Sequence, residues 1–323
     1  MGSFAYGVSS DTSDCDVYGF YTPPMVQVFP HTAGYINGFG DSPQMDNGYQ
    51  LHHIKLEPKE YDVALFSIVK YFNLCMENNP NMIDSLHVPS NCVVHQDAIG
   101  EIVREHRNLF LHKGIFHRMR GYAHSQFEKI QQEPSENMKK LREFEEALSI
   151  HDKSIDIITL RDEVFSRNLC EDISTPLKNL TDMELAEYDK LYSKLSPREQ
   201  DRHLTGIDHK KMYHIVRLIN EAEQVLTTHT LDLMKDRELL KSIRRGEWSM
   251  DQLQKWVHKR ESDLETLYTT SDLRYAPDEP KIKELLFQCL EMKFGSLSAY
   301  FNLDGSNRVV YDKMKRIKAI IEE

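Results

Sequence analysis

The sequence predicts an α+β protein, a strand-rich N-terminal part followed by an almost wholly helical remainder. Two observations predict it. Residues 1 to about 60 are rich in Gly, Tyr, Pro and Asn and hold short alternating stretches, Asp16-Val-Tyr-Gly-Phe-Tyr21 and Tyr49-Gln-Leu-His-His-Ile-Lys55, which read as strands between turns. Beyond about residue 95, apolar positions recur at helical spacing in one segment after another. Strands and helices segregated along a chain this way imply a small sheet domain with an appended helical domain.

The elements follow in order. From Glu60, the residues Leu65, Ile68, Val69, Phe72, Cys75 and Met76 recur at helical spacing until Asn78-Asn79-Pro80, which predicts one long helix. Met82–Val88, bounded by Pro80 and Pro89, reads as a turn leading into a strand. Helices are predicted over Asp97–Phe110, Lys113–Gln131, Ile155–Arg167, Met183–Leu195, His209–Thr227, Asp236–Arg245, Ser249–Thr269 and Pro280–Lys293. The polar stretch Glu133-Pro-Ser-Glu136 marks the join, giving domains of residues 1–132 and 133–323, each long enough for its own core.

Composition narrows the class. With 40% hydrophobic and 28% charged residues, 14 Gly and 12 Pro, the chain has the profile of a folded protein. No apolar run approaches the roughly 18 to 20 residues of a membrane helix and no signal peptide is evident, so a cytoplasmic location is the default. Five scattered cysteines without a Cys-x-x-Cys pair suggest reduced thiols, neither a disulfide framework nor a zinc site. A net charge of −11 argues against nonspecific coating of nucleic acid, yet permits a local basic pocket for one nucleotide or one polynucleotide end.

The chemistry-bearing stretch runs from Gly2-Ser3 to Ser13-Asp-Cys-Asp16. In a strand, Asp14 and Asp16 project to the same side, with Cys15 and Val17 toward the core. Two carboxylates held side by side repel unless a cation sits between them. Hard ions such as Mg²⁺ take one or two carboxylates plus phosphate oxygens, and a metal pair about 3.5 to 4 Å apart suits in-line phosphoryl chemistry. A Gly-Ser turn upstream can bring backbone N–H groups and a hydroxyl against a phosphate. Alone, an Asp-x-Asp is more often a solvated loop.

The company of these residues decides for the chemical reading. Gly2-Ser3, then Ala5-Tyr-Gly7, then Ser13-Asp-Cys-Asp16 resemble the signature of the DNA polymerase beta superfamily. Asp62, Lys70, Asn79-Pro-Asn-Met-Ile-Asp-Ser-Leu86, Gly121-Tyr-Ala-His-Ser-Gln126, Asp208-His-Lys-Lys-Met-Tyr-His-Ile-Val-Arg-Leu218, Ile243-Arg-Arg-Gly-Glu247 and Ser271-Asp-Leu-Arg274 resemble, in order, the recurring segments of one of its groups, the RlaP-like RNA-repair nucleotidyltransferases of bacteria and phages. The resemblance implies a small mixed-sheet nucleotidyltransferase domain, two Mg²⁺ ions (Mn²⁺ also suits) on Asp14 and Asp16, and a third acid. Asp84, where relatives carry Glu, is the candidate for that acid, with Glu57 in reserve. It further implies phosphate or nucleotide contacts at Gly2, Ser3 and Lys70. Relatives carry a helix and a strand ahead of the Gly-Ser, which here stands at residues 2–3. A truncated sequence, another segment filling that sheet position, or an open sheet edge is therefore expected.

On the predicted helix from His209, the basic residues Lys210, His214 and Arg217 fall within about 60° of one another around the axis. Met212, Ile215, Val216, Ile219, Ala222 and Leu226 occupy the other side and would anchor it. A charged stripe is usually a solvated face. The resemblance instead makes it a phosphate-neutralising face directed at the cleft. Arg104, Arg107, Lys113, Arg118 and Arg120 with Phe110, Phe116 and Tyr122 read equally as an RNA-facing surface or as helix packing.

The expected activity is transfer of a nucleoside monophosphate from a nucleoside triphosphate to an acceptor hydroxyl. The family implies an RNA acceptor, a tRNA 3′ end in repair, in the host cytoplasm for a phage-encoded member. A protein side chain as acceptor, or an inert fold used for binding, are the rival readings. The residues select neither base nor oligomeric state.

Overall fold

In a computed structural model the described residues are 1–9, 13–36, 39–40, 48–56, 59–131, 135–147, 182–196, 199–200, 202–203 and 206–296. They form a three-stranded mixed sheet and twelve α-helices among the described residues. Packing divides the chain into two units, residues 1–118, 223–237 and 267–323 in one, and 119–222 and 238–266 in the other. The domains expected from the sequence are continuous in the chain, whereas these units are not.

The sheet belongs to the first unit. Strand β1 (Cys15–Tyr21) pairs in parallel with β3 (Lys59–Ser67), and β2 (Tyr49–Leu56) pairs antiparallel with the other edge of β3. The order is β1-β3-β2, so β3 is central. Among the described residues, no strand lies against the outer edge of β1. A bulge interrupts β2 between Leu51 and Ile54, where His53 takes a left-handed backbone (φ 58°). Cys15 and Val17, expected in the core, are only half-buried, like every residue of β1.

The long helix predicted from Glu60 is corrected. Its first half is β3, hydrogen-bonded on both edges, and helix α3 starts only at Ile68 and runs to Met76. Helical spacing of Leu65, Ile68, Val69 and Phe72 runs through a strand-to-helix joint, which periodicity alone cannot see. Ser67 makes the joint: fully buried, it caps α3, its Oγ accepting from the Lys70 N–H at 3.3 Å. The expected turn and strand at Met82–Val88 is also corrected, to helix α4 (Pro80–His87). Pro80 both stops α3 and opens α4, since a proline at the first helical position lacks only an N–H that would have no partner there. Asn79 caps it, accepting from the Asn81 and Met82 N–H groups at 3.1 and 3.4 Å.

Helix α5 (Ala98–Glu105) is followed by a 3₁₀ turn (Arg107–Phe110), where one helix to Phe110 is expected. α12 (Glu279–Phe294) packs on α3 and α5, and Phe72 meets Phe110 edge-on at 5.2 Å between centroids. Two further short helices, α1 (Gly2–Ala5) and α2 (Met25–Val28), were not foreseen.

The second unit is helical. α6 (Gly114–Gln131) enters it from residue 119, followed by α7 (Glu136–Ala147) and α8 (Asp182–Tyr192), which pack together over Met138, Leu141, Tyr188 and Leu195. Helix α7 starts in the polar stretch read as a join, because its few apolar residues are hidden among charges. Helix α9 (His209–Thr228) buries Met212, Ile215, Val216, Ile219 and Ala222, as its periodicity predicts. α10 (Arg237–Arg244) and α11 (Met250–Thr270) lie where expected. The helix expected at Ile155–Arg167, and Glu57, lie outside the described residues. No described helix is long and apolar enough to cross a membrane.

Candidate active site

The parallel register sets the site. Asp16 on β1 is the direct partner of Asp62 on β3, so the two carboxylates leave the sheet on the same side from adjacent strands. Adjacent strands lie about 4.8 Å apart. Asp14, exposed, stands just ahead of β1 and not within it, so the strand alternation expected to align it with Asp16 does not reach it. The charges of Asp62 and Asp14 both act on His53. Tyr18, next along that face, has its phenol pushed upward by burial first and then by Asp16 and Asp62. Asp62 was noted in the sequence only as part of a recurring segment. A strand reading of Tyr61-Asp-Val-Ala-Leu65 would have marked it.

The bulge of β2 completes Asp62's surroundings. The left-handed turn at His53 aims its backbone N–H at Asp62 Oδ1, 2.8 Å away, and the His52 ring stands 3.6 Å from the same oxygen. The His53 ring itself pairs with Glu60, which more than the other acids raises the His53 imidazole above its ordinary value.

Gly2 lies against Asp16. A Cβ built on Gly2, whose φ is 58°, would stand 2.0 Å from Asp16 Oδ2, so only glycine permits this approach. The Met1 ammonium donates to the Asp16 carbonyl at 2.5 Å. Lys70 sits half-buried in the first turn of α3.

Asp84 does not occupy the position the resemblance implies. It lies on a helix, not a later strand, is fully buried, and its Oδ2 accepts a hydrogen bond from the buried Tyr6 hydroxyl. A ligand to a substrate-bound metal must face the substrate. Asp62 has the strand position and Asp84 does not.

Among the described residues, no three His, Cys, Asp or Glu side chains converge closely enough to hold a metal ion as they stand. The donor set nevertheless fits one: carboxylates only, on paired strand positions, facing a glycine cradle that a Cβ would fill.

The basic stripe belongs to the second unit and is not uniform. Lys210 is exposed and His214 half-buried, but Arg217 is 6% exposed and donates to Glu221 Oε1 at 2.9 Å. The arginine cluster is part packed and part exposed, with Arg118, Arg120 and Tyr122 on the exposed side. Phe110 and Phe116 are buried, Arg104 donates to the Val88 carbonyl, Arg107 to the Arg104 carbonyl, Arg118 to Glu77, and Arg120 to Glu265.

A mixed sheet carrying acids at register-paired positions, with a Gly-Ser turn folded onto one of them, defines a nucleotidyltransferase domain of the polymerase beta type. Residues 1–142 match the model of RlaP, the RNA repair pathway DNA polymerase beta family, to which the sequence is similar. No curated protein and no solved structure matches the chain.

Proposed function

We propose that the chain transfers a nucleoside monophosphate from a nucleoside triphosphate to the hydroxyl of an RNA 3′ end, at the face formed by Asp14, Asp16 and Asp62. The pairing of Asp16 with Asp62 beside Gly2 is the observation that carries this reading. The acceptor oxygen bonds to the α-phosphorus, the bond from that phosphorus to the bridging oxygen breaks, and pyrophosphate leaves. Asp14, Asp16 and Asp62 would hold divalent metal, which when bound neutralises the triphosphate and acidifies the acceptor hydroxyl. The acidic face orients both reactants and takes up the hydroxyl's proton. Gly2 keeps the turn close enough for its backbone and the Ser3 hydroxyl to meet phosphate oxygens, and Lys70 supplies a nearby cation. Within the second unit, Arg217, held by Glu221, fixes helix α9.

Incubating the full chain with Mg²⁺, α-labelled nucleotides and either total RNA or cell protein tests this. Label in RNA, lost in Asp14→Ala/Asp16→Ala, is the expected result. Label in protein would move the acceptor to a side chain, and label in neither would contradict the reading.

A further inference from the structure

Asp84 is buried and Tyr6 is 4% exposed, and the hydrogen bond between them links α4 to the end of the Gly2–Ala5 turn. Tyr6 directly follows that turn. Its successors close it, the Gly7 N–H donating to the Phe4 carbonyl at 3.1 Å and the Val8 N–H to the Ser3 carbonyl at 2.9 Å. The turn in turn sets Gly2 against Asp16 Oδ2, where no side chain fits. Helix α4 is a firm base for such a link, with Asn79 capping its start and Met82, Ile83 and Leu86 buried. A short helix of four residues has little stability of its own, so its place depends on what holds its ends.

We infer that Tyr6 and Asp84 form a buried clamp that positions the Gly2-Ser3 turn against Asp16, and that Asp84 acts through this hydrogen bond as a positioning residue and not as a metal ligand. The inference rests on the nucleotidyltransferase reading for its effect on catalysis, but the clamp itself is structural. An amide oxygen accepts from the Tyr6 hydroxyl as a carboxylate oxygen does, whereas an amide is a poor substitute for a carboxylate on Mg²⁺.

Full-length Tyr6→Phe, Asp84→Ala, Asp84→Asn and Tyr6→Phe/Asp84→Ala proteins, checked for unchanged melting, separate the possibilities. Hydrogen exchange at the Gly7 and Val8 amides is read first, since it needs no activity. Exchange should rise about tenfold in Tyr6→Phe and Asp84→Ala, the scale of one buried hydrogen bond, and stay near wild type in Asp84→Asn. Unchanged exchange in Tyr6→Phe would overturn the clamp even if Asp84→Ala failed to fold. In the labelling assay, Tyr6→Phe and Asp84→Ala should raise the nucleotide KM about tenfold, with the double variant no worse than the worse single one. Asp84→Asn should restore the KM and keep the wild-type Mg²⁺ requirement. An Asp84→Asn protein that needs far more Mg²⁺ would make Asp84 a ligand and sink the inference. A wild-type chain that transfers no label would instead count against the proposed function, while the exchange result still decides the clamp.

Discussion

Single residues carry the strongest claims. Gly2 approaches Asp16 so closely that Gly2→Ala must push the turn and the carboxylate apart. That variant should lose at least about tenfold in turnover with little change in melting, because the strain falls on a half-buried four-residue turn and not on the core. Asp62→Asn should cost on the order of a hundredfold or more in turnover, comparable with losing one preorganised electrostatic contact at a reacting centre. Side by side, Asp62→Asn and Asp84→Asn read the exchange of roles directly, since the first should abolish labelling and the second retain it.

The acids at residues 14 and 16 stand out in the sequence by local spacing, but the strand begins only at Cys15, so alternation does not fix the outlook of Asp14. Asp62 was not legible as their partner. Its pairing with Asp16 is a contact between distant strands, and it stands inside a segment whose apolar residues fit a helix.

At the scale of elements, the joint between β3 and α3 sets the cation Lys70 one turn beyond the end of the acidic strand. Ser67 holds that joint, and Ser67→Ala should destabilise the first unit by about 1 kcal/mol in urea unfolding, the usual worth of such a cap. Helix α9 shows how far periodicity reaches. It placed the buried stripe correctly, but it could not show that Arg217 turns inward to Glu221 and away from a solvated stripe. With both side chains at least nine-tenths buried, Arg217→Ala breaks a buried ion pair. We expect a loss of about 3 to 5 kcal/mol in the second unit, seen as a lower urea midpoint. A midpoint within experimental error of wild type would show that the pair is not what fixes this helix.

At the scale of the molecule, strand-rich and helical parts were both visible in composition and periodicity. The interleaving of the two units was not, because it depends on which distant helices pack together: residues 223–237 and 267 onward join the sheet's unit. That unit also carries a pH dependence. Burial is the main cause that holds the His87 and His112 imidazoles below their ordinary value. Bases with lowered folded pKa are charged in the unfolded chain first, so their contribution is present above about pH 6.5 and lost as pH falls below it. His53 runs the other way, its raised value giving a contribution present at low pH and lost as pH rises through its folded value, but it is exposed and solvent screens it. The urea midpoint should therefore fall between pH 7 and pH 5, and fall less in His87→Gln.

The central claim, that Asp62 joins Asp14 and Asp16 in a nucleotidyl-transfer site, is tested most directly by one labelling measurement. Full-length wild-type, Asp14→Ala/Asp16→Ala and Asp62→Asn proteins are given Mg²⁺, α-labelled nucleotides and total RNA. Label in RNA with wild type and none above background with either variant, all three melting alike, is the expected result. Labelling by Asp62→Asn at the wild-type rate would contradict it.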